Sequence, residues 1–367
     1  MTVRMKNIAV IAAAALFLFG FSVGNLLKPH TEESVSERRP LLSFPALSTE
    51  TVMNGKFMSD FDKYTLDQFP MRDTFRSLKA MTSRYLFRQK DNNGIYVKNG
   101  WIAKTEYPMD GDSIRYATDR FQTIYERYFA SLNVPVYVSV IPDKNYFTAQ
   151  DGKHLSMDYD AFFSQVKNAM PYASYIDIAP LLELSDYYAT DTHWRQEKIV
   201  DVAEYVAAQM GVNLSSSYTQ KEIDKPFYGV YYGQAALPLK PERISYLTNE
   251  VLEKCTVYDY ETQTELPVYN MDKLNGFDLY EIFLSGSKSL LTIENPSAST
   301  DRELILFRDS FGSSFAPLLV DGYAKITLVD IRYISPLMLN RFLTFNEKQD
   351  VLFLYSTTVL NNSITFK

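Results

Sequence analysis

The sequence predicts an α/β fold built in layers around a mostly parallel sheet. Stretches with helical and strand periodicity alternate along residues 113–210, and the alternation resumes along residues 304–354. Such alternation is typical of helices packed on the faces of a parallel sheet. Hydrophobic residues make up 46% and charged residues 22% of the 367 residues, which is usual for a globular protein. The length suits one large domain with insertions, or two domains.

The N-terminus has the pattern of an export signal. Arg4 and Lys6 precede an apolar run, Ile8–Val23, which is 16 residues long and approaches 20 if it extends to Leu27. This length is at the lower limit for crossing a bilayer. Because no clear small-residue cleavage site follows, we predict that residues 1–28 are an uncleaved signal anchor. A cleaved signal peptide, and hence a secreted protein, is the alternative.

Three further segments complete the predicted organisation. Residues 29–50 are predicted to be a linker, because the stretch 29–40 is polar and suited to be solvated. Residues 51–367 form the main domain. Within it, residues of about 212–303 interrupt the helix–strand alternation and are rich in Tyr, Gly and Thr, so we predict an inserted, β-rich region.

The elements of the main domain follow from periodicity and turn residues. They are helices within 51–89 broken at Pro70, a hairpin over 95–103 with an Asn-Gly turn, helix 113–132, strand 134–141, helix 159–170, strand 175–178, helix 195–210, strand 304–307, helix 313–319, strand 326–329, helix 336–345 and strand 351–354.

Charge and composition exclude some functions. The formal net charge is −7 and the chain has no block of Lys and Arg, so we expect no nucleic-acid partner. The single cysteine, Cys255, lies in a strand-like segment and is interpreted as structural. Aromatic residues reach 14%, which fits either a large core or a carbohydrate-facing surface, and composition leaves both open.

Ser310 is the candidate nucleophile. It follows the strand 304–307 and precedes a helix, and functional groups in open α/β sheets gather at the carboxyl ends of strands. Backbone N–H groups at a helix start can stabilise an oxyanion. The alternative is that Ser310 merely caps the helix.

Asp191 and His193 are the candidate acid–base pair. If their segment is extended, both side chains point to the same side, and the carboxylate can orient the imidazole. The alternative is a surface histidine near a helix cap. The other histidines, His30 and His154, lie in the linker and in a loop, so no metal site is predicted, and the pattern implies no cofactor.

Six segments in order carry a family resemblance: 64–73, 95–102, 140–144, 187–194, 306–314 and 329–333. Over roughly residues 51–355 the chain resembles the DHHW family and, more distantly, the SGNH-type acyltransferases that O-acetylate alginate. Tyr187–Trp194 is similar to the motif that names the family, with Thr192 in place of its first histidine.

The resemblance implies an SGNH-hydrolase-like three-layer α/β/α core with a permuted order of motifs, so that residues 51–367 would be a catalytic domain. It implies that Ser310 is the nucleophile, His193 the general base and Asp191 the residue that orients it. The order of these residues along the chain does not matter, because geometry defines such a site.

The resemblance also implies binding roles. Arg332, Tyr333 and Trp194 would contact the substrate. The asparagine that usually completes an SGNH oxyanion hole has no clear counterpart. The backbone of Ser310 and Gly312 are candidates, and the side chain of either Asn145 or Asn295 could complete the set.

The implied function is O-acyl transfer outside the cell by a membrane-tethered enzyme. The acetyl group would come from a multi-pass membrane O-acyltransferase and pass to a cell-surface polysaccharide. A polysaccharide deacetylase or esterase with the same triad is one alternative. A non-catalytic polysaccharide-binding or assembly protein is another.

Overall fold

A computed structural model describes residues 2–34, 36–215 and 217–367. The chain forms two compact units. The first comprises Met1–Asn92 and Tyr232–Leu239, and the second comprises Asn93–Tyr231 and Lys240–Lys367.

The first unit is mostly helical. Its elements are α1 Val3–Leu27, β1 Glu33–Ser34, β2 Arg39–Pro40, α2 Thr49–Met53, α3 Lys56–Asp67, α4 Arg72–Met81 and a π-helical turn, Thr82–Leu86. The break at Pro70 occurs as predicted. Within α1, Val3–Asn25 has a mean hydropathy of 2.1 and is long and apolar enough to cross a membrane. The predicted linker folds back, because Arg39 binds Asp67 with two hydrogen bonds of 2.9 and 2.6 Å.

The second unit contains the main sheet. Its helices are α5 Gly111–Tyr128, α6 Lys144–Thr148, α7 Tyr159–Ala169, α8 Val200–Gln209, α10 Gly312–Leu319 and α11 Thr357–Leu360. A further helix, α9 Val230–Ala235, has its first two residues in this unit and the rest in the first unit. Its strands are β3 Ile95–Lys98, β4 Trp101–Lys104, β5 Val136–Ile141, β6 Ser174–Tyr175, β7 Thr219–Glu222, β8 Ser245–Thr248, β9 Thr256–Asp259, β10 Thr264–Leu266, β11 Leu290–Glu294, β12 Glu303–Arg308, β13 Lys325–Val329 and β14 Gln349–Ser356.

The main sheet has eight strands in the order β10-β9-β11-β13-β12-β14-β5-β6. The five strands from β13 to β6 are parallel, and the other three join antiparallel at one edge. The predicted α/β class with a mostly parallel core is therefore confirmed. The strands β9, β10 and β11 belong to the region predicted to be an insertion, so part of that region extends the main sheet, while β7 and β8 form a separate pair.

Alternating side chains of the strands fill two cores. Leu304 and Leu306 of β12 belong to one core, with residues of α8 and α10. Ile305 and Phe307 belong to the other core, with residues of α5 and α7. Because successive side chains of a strand point to opposite faces, the result is a three-layer α/β/α arrangement.

Three predicted elements are shorter than expected. Helix 195–210 is a 3-10 turn over Gln196–Lys198 followed by α8. Strand 175–178 stops after Tyr175, because the Asp177 carboxylate accepts a hydrogen bond from Ala179 N and turns the chain. Helix 336–345 is a 3-10 helix over Pro336–Arg341. The hairpin β3–β4 is present, and its turn residues Asn99 and Gly100 both have positive φ, as a tight two-residue turn requires.

Candidate active site

Buried aspartates tie together the carboxyl ends of the parallel strands. Asp143, after β5, accepts a 2.7 Å hydrogen bond from the hydroxyl of Thr357, after β14. Asp309, after β12, accepts bonds of 2.8 and 2.7 Å from the N–H and hydroxyl of Ser356 at the end of β14. These bonds fix the ends of β5, β12 and β14 relative to each other. Ser310 directly follows Asp309 and is held in place by the same bonds.

Ser310 lies in the tight turn between β12 and α10. Phe311 N donates to the Asp309 carboxylate at 3.0 Å, and Ser313 N donates to the Ser310 carbonyl at 3.1 Å. A Cβ on Gly312 would lie 2.6 Å from the Cβ of Arg308, so only glycine allows the turn to close this tightly. Ser310 is partly exposed while its neighbours on both sides are buried.

The structure brings Asp191, His193 and Ser310 into one line of hydrogen bonds. Asp191 Oδ1 lies 2.6 Å from His193 Nδ1, and His193 Nε2 lies 2.7 Å from Ser310 Oγ. The carboxylate selects the tautomer with the proton on Nδ1, so that Nε2 accepts from the serine hydroxyl. Asp191 is fully buried, and His193 is 8% exposed. This is the geometry of a nucleophile, a base and an orienting acid.

The loop 187–194 has little regular structure of its own. A single antiparallel bridge joins Tyr187 to Trp194, and Tyr188 N donates to the His193 carbonyl at 3.1 Å. Lys144, at the start of α6, donates from Nζ to the carbonyls of Tyr188 and Ala189 at 2.9 and 3.2 Å. The loop conformation therefore depends on side chains from other segments.

Lys144 is a buried amine close to Asp191. Burial lowers the pKa of Lys144 to about 7, and the negative charge of Asp191 is the largest opposing influence. The ammonium group also lies 5.0 Å from the centroid of the Tyr231 ring. Lys144 thus links the strand-end segment after β5 to the loop that carries Asp191.

Region 212–303 supplies supports that sequence reasoning missed. Val230 N donates to Asp191 Oδ2 at 2.8 Å. The Glu242 carboxylate accepts from the N–H of Ala189 at 2.8 Å and from the N–H and hydroxyl of Thr190, both at 2.7 Å. Nothing in the local sequence of Glu242 or Val230 signals these contacts, because they join segments about 40 to 50 positions apart.

Tyr280 was also missed, and it packs directly on the imidazole. Its ring is stacked on that of His193 with a centroid distance of 3.9 Å and an angle of 9°. The Tyr280 hydroxyl lies 2.7 Å from Ser314 Oγ, in the first turn of α10. Phe311 contacts another side of the imidazole at 5.0 Å. The imidazole of His193 is therefore held in its orientation by two aromatic rings as well as by Asp191.

Trp194 requires a correction, because it cannot contact substrate in this structure. Its side chain is completely buried, and Nε1 donates to Ser314 Oγ at 2.9 Å and to the Phe311 carbonyl at 3.2 Å. A large indole with a satisfied N–H is a stable core group. Trp194 instead joins the loop after His193 to the helix after Ser310.

Arg332 and Tyr333 lie just beyond the end of β13, which neighbours β12. The Arg332 guanidinium forms two hydrogen bonds of 2.9 and 2.6 Å with Asp330. Burial opposes its charge, but this pairing with Asp330 raises the pKa of Arg332 above its usual value. Tyr333 is 52% exposed, with its ring centroid 5.4 Å from the guanidinium carbon. Both residues thus lie at the carboxyl ends of the parallel strands, as Ser310 does.

The candidate oxyanion donors differ in availability. The Asn145 side chain is buried, accepts from the Tyr96 hydroxyl at 2.7 Å and donates to the Leu155 carbonyl at 3.2 Å. Asn295 follows β11, at the amino ends of the parallel strands and therefore at the end of the sheet opposite to Ser310. Gly312 N already donates to the Asp309 carbonyl at 3.1 Å. Within the described residues, the Ser310 N–H has no hydrogen-bond partner, so it is the candidate donor left open.

Other chemistry-bearing residues lie outside this site. Cys255 is buried, its thiol is 3.2 Å from the Val251 carbonyl, and burial raises the pKa of Cys255 to about 11. The ring of His154 is stacked on Tyr96 at 3.8 Å. Across the described ranges, no three His, Cys, Asp or Glu side chains are grouped to hold a metal ion.

Comparison with solved structures supports the fold assignment. A DHHW family protein from Eubacterium siraeum has a TM-score of 0.59 and 20% identity, over 75% of this chain and 94% of that chain. Bacillus cereus PatB1, solved with a sulfonyl adduct, has a TM-score of 0.55 and 18% identity, over 72% of this chain and 95% of that chain. A second structure of Bacillus cereus PatB1 has a TM-score of 0.55 and 17% identity, over 75% of this chain and 100% of that chain. No protein-family model and no curated protein matches the chain. The chain therefore has the fold of these proteins, and the predicted structural relationship to a DHHW protein is confirmed.

Proposed function

We propose that the protein is a membrane-tethered O-acyltransferase that acts outside the cell through an acyl-serine intermediate. The observation that carries the proposal is the hydrogen-bonded line from Asp191 through His193 to Ser310. Neither a helix cap nor a surface histidine would require this line, and its burial on the acid side favours a working triad.

In the first half-reaction, Ser310 Oγ attacks the carbonyl carbon of an acetyl ester, and its proton passes to His193 Nε2. The bond between that carbon and the donor oxygen breaks, and the leaving alcohol takes the proton from His193. Asp191 stabilises the imidazolium that forms between these steps. The Ser310 N–H would donate to the developing oxyanion.

In the second half-reaction, a sugar hydroxyl attacks the acetyl carbonyl on Ser310. Its proton passes to His193 Nε2, the bond to Ser310 Oγ breaks, and the serine recovers the proton. The acceptor would be a cell-surface polysaccharide, and a multi-pass membrane O-acyltransferase would supply the acetyl group. Arg332 and Tyr333, at the same edge of the sheet, would contact the acceptor.

Two further observations support this function. The helix α1 has the length and composition for a signal anchor, which would keep the body beside a membrane-bound donor. PatB1, which shares the fold, has been solved with a sulfonyl adduct. Sulfonyl reagents attach to activated nucleophiles, so this chain should carry one if Ser310 is active.

The test compares ester turnover and surface acetylation in the same variants. We expect Ser310→Ala and His193→Ala in the full-length protein to lower p-nitrophenyl acetate turnover about 10³-fold or more. Ser299→Ala, which changes an exposed serine, is the matched control. Strains that carry Ser310→Ala or His193→Ala should lose O-acetyl groups from their surface polysaccharide, and a strain that carries Ser299→Ala should keep them.

Two outcomes would overturn parts of the proposal. Wild-type turnover in folded Ser310→Ala would reject the triad. Lost ester turnover together with unchanged polysaccharide acetylation would reject transfer and favour an esterase, in which water replaces the sugar hydroxyl.

A further inference from the structure

The corner between α3 and α4 is an apolar surface on the first unit. We call the α3–α4 corner the group Leu66, Phe69, Met71, Phe75 and Leu78. Leu66, Met71 and Leu78 are 69%, 62% and 53% exposed. Phe75 and Leu78, three positions apart, lie on one face of α4, and Met71 directly precedes the helix in a left-handed backbone conformation. A soluble surface rarely leaves such a stripe to water.

The α3–α4 corner packs directly on α1. The Phe21 ring is stacked on Phe69 at 5.3 Å and meets Phe75 edge-on at 5.6 Å. Pro70, inside the corner, has its Cγ 3.8 Å from the position that a Cβ of Gly24 would take. The exposed side chains of the corner therefore continue the surface of the apolar helix.

The position of Phe21 in α1 fixes the depth of this contact. At 1.5 Å per residue, an apolar run from Ile8 to Leu27 spans about 30 Å, the thickness of a bilayer's hydrocarbon core. Phe21 precedes Leu27 by six residues and would lie about 9 Å inside the outer boundary. Side chains that touch Phe21 would then lie among the upper acyl chains of the outer leaflet, just below the headgroups.

The polar side of α4 fits this orientation. Arg72 and Arg76 form ion pairs of 2.7 and 3.1 Å with Glu37, away from the Met71–Leu78 stripe. An amphipathic helix with a paired polar face and an apolar stripe is suited to lie in the interface of a membrane.

We propose that outer-leaflet lipid covers the α3–α4 corner, so that the first unit is inserted shallowly beside α1. The inference rests on the membrane tether in the proposed function and is independent of the triad. The corner would add apolar contact with the bilayer to that of α1 and so attach the first unit to the membrane at two places.

The experiment places an environment-sensitive fluorophore at single cysteines of the full-length protein with Cys255→Ala. Met71→Cys and Leu78→Cys report on the corner, and Phe17→Cys reports on α1. Ile364→Cys, an apolar residue of the second unit that is 83% exposed, is the control. The proteins are reconstituted in phosphatidylcholine and phosphatidylglycerol vesicles, without spin-labelled lipid or with lipids spin-labelled either near the headgroup or near the end of the acyl chain, so that both the level of the corner and the bilayer centre are covered.

We expect blue-shifted emission at positions 71 and 78, and several-fold stronger quenching by spin-labelled lipid there than at position 364. Quenching at position 17 without quenching at 71 and 78 would overturn the inference while the tether stands. Absence of quenching at position 17 would overturn the tether, and the inference with it. Either outcome leaves the ester-turnover test of the triad unaffected.

Discussion

The two halves of the candidate site are held in different ways. Ser310 lies between β12 and α10, next to the hydrogen bonds between Asp309 and Ser356 that join the ends of β12 and β14. Asp191 and His193 sit in a loop whose only regular pairing is one bridge. That loop keeps its shape through Lys144, Glu242, Val230 and Tyr280, which come from four other segments.

This difference indicates where the site is vulnerable. The serine side depends on the sheet, so moderate changes around it should be tolerated until the whole domain loses stability. The histidine side depends on a few separate contacts, so one of them can be lost while the fold survives. Changes on the loop side should therefore lower turnover more than they lower stability.

Gly229→Ala should produce the largest effect of this kind. A Cβ at this position would overlap the backbone of Asp191, which would have to move. We expect ester turnover to fall about 10²-fold, because small displacements of a catalytic group cost this much. Gly276→Ala is the matched control, since its Cβ would meet only the Lys273 carbonyl at 3.3 Å. Full activity in Gly229→Ala would show that the loop is not fixed by close packing.

Two substitutions of Tyr280 distinguish the effect of its ring stacking on His193 from the effect of its hydrogen bond to Ser314. Tyr280→Phe keeps the ring on His193 but loses the contact with Ser314, so we expect a loss of about 1 kcal/mol in unfolding free energy and nearly unchanged turnover. Tyr280→Leu removes the stacked ring, and we expect turnover to fall about 10-fold. Turnover and chemical denaturation would be measured on both variants. Equal turnover in the two would contradict a positioning role for the ring.

A change at Glu106 should have the smallest effect on turnover, and it tests the stability of the sheet side of the site. This carboxyl is buried, with Lys104 at 3.0 Å, and burial followed by the charge of Asp143 raises the pKa of Glu106 to about 7. The folded protein therefore keeps a proton that the unfolded chain loses above about pH 4.5, so this group's contribution to stability falls as pH rises from about 4.5 to 7.

Glu106→Gln should accordingly stabilise the protein more at pH 8 than at pH 5, by about 2 kcal/mol, with little change in turnover. Denaturation at both pH values measures the difference, and Glu250→Gln, an exposed carboxylate, is the control. An equal shift at both pH values would contradict the raised pKa.

Much of the fold could be predicted because regular elements carry local signals. The strand 304–307 and the helix after it are apolar runs with a serine between them, so the position of Ser310 followed from periodicity. The hairpin turn at Asn99-Gly100 followed from backbone preferences. The assignment of 212–303 as an insertion missed that β9, β10 and β11 extend the sheet, because strand pairing across many residues leaves no local pattern.

The sequence could predict the three central residues of the candidate site but not the contacts that hold them in place. Asp191, His193 and Ser310 were suggested by spacing and resemblance, and the structure brings them together. The roles of Glu242 and Tyr280 depend on contacts between distant segments, which one sequence does not reveal. Trp194 was assigned to substrate binding by the resemblance, yet its ring is buried in the core.

The most direct measurement is peptide mapping of the full-length protein after reaction with a sulfonyl fluoride. Ser310 Oγ would form a bond to sulfur, fluoride would leave, and the serine proton would pass to His193. We predict one sulfonyl group on the peptide that contains Ser310, strongly slowed labelling in His193→Ala, and none of this label in Ser310→Ala. Labelling at another residue, or at Ser310 with no dependence on His193, would contradict the account.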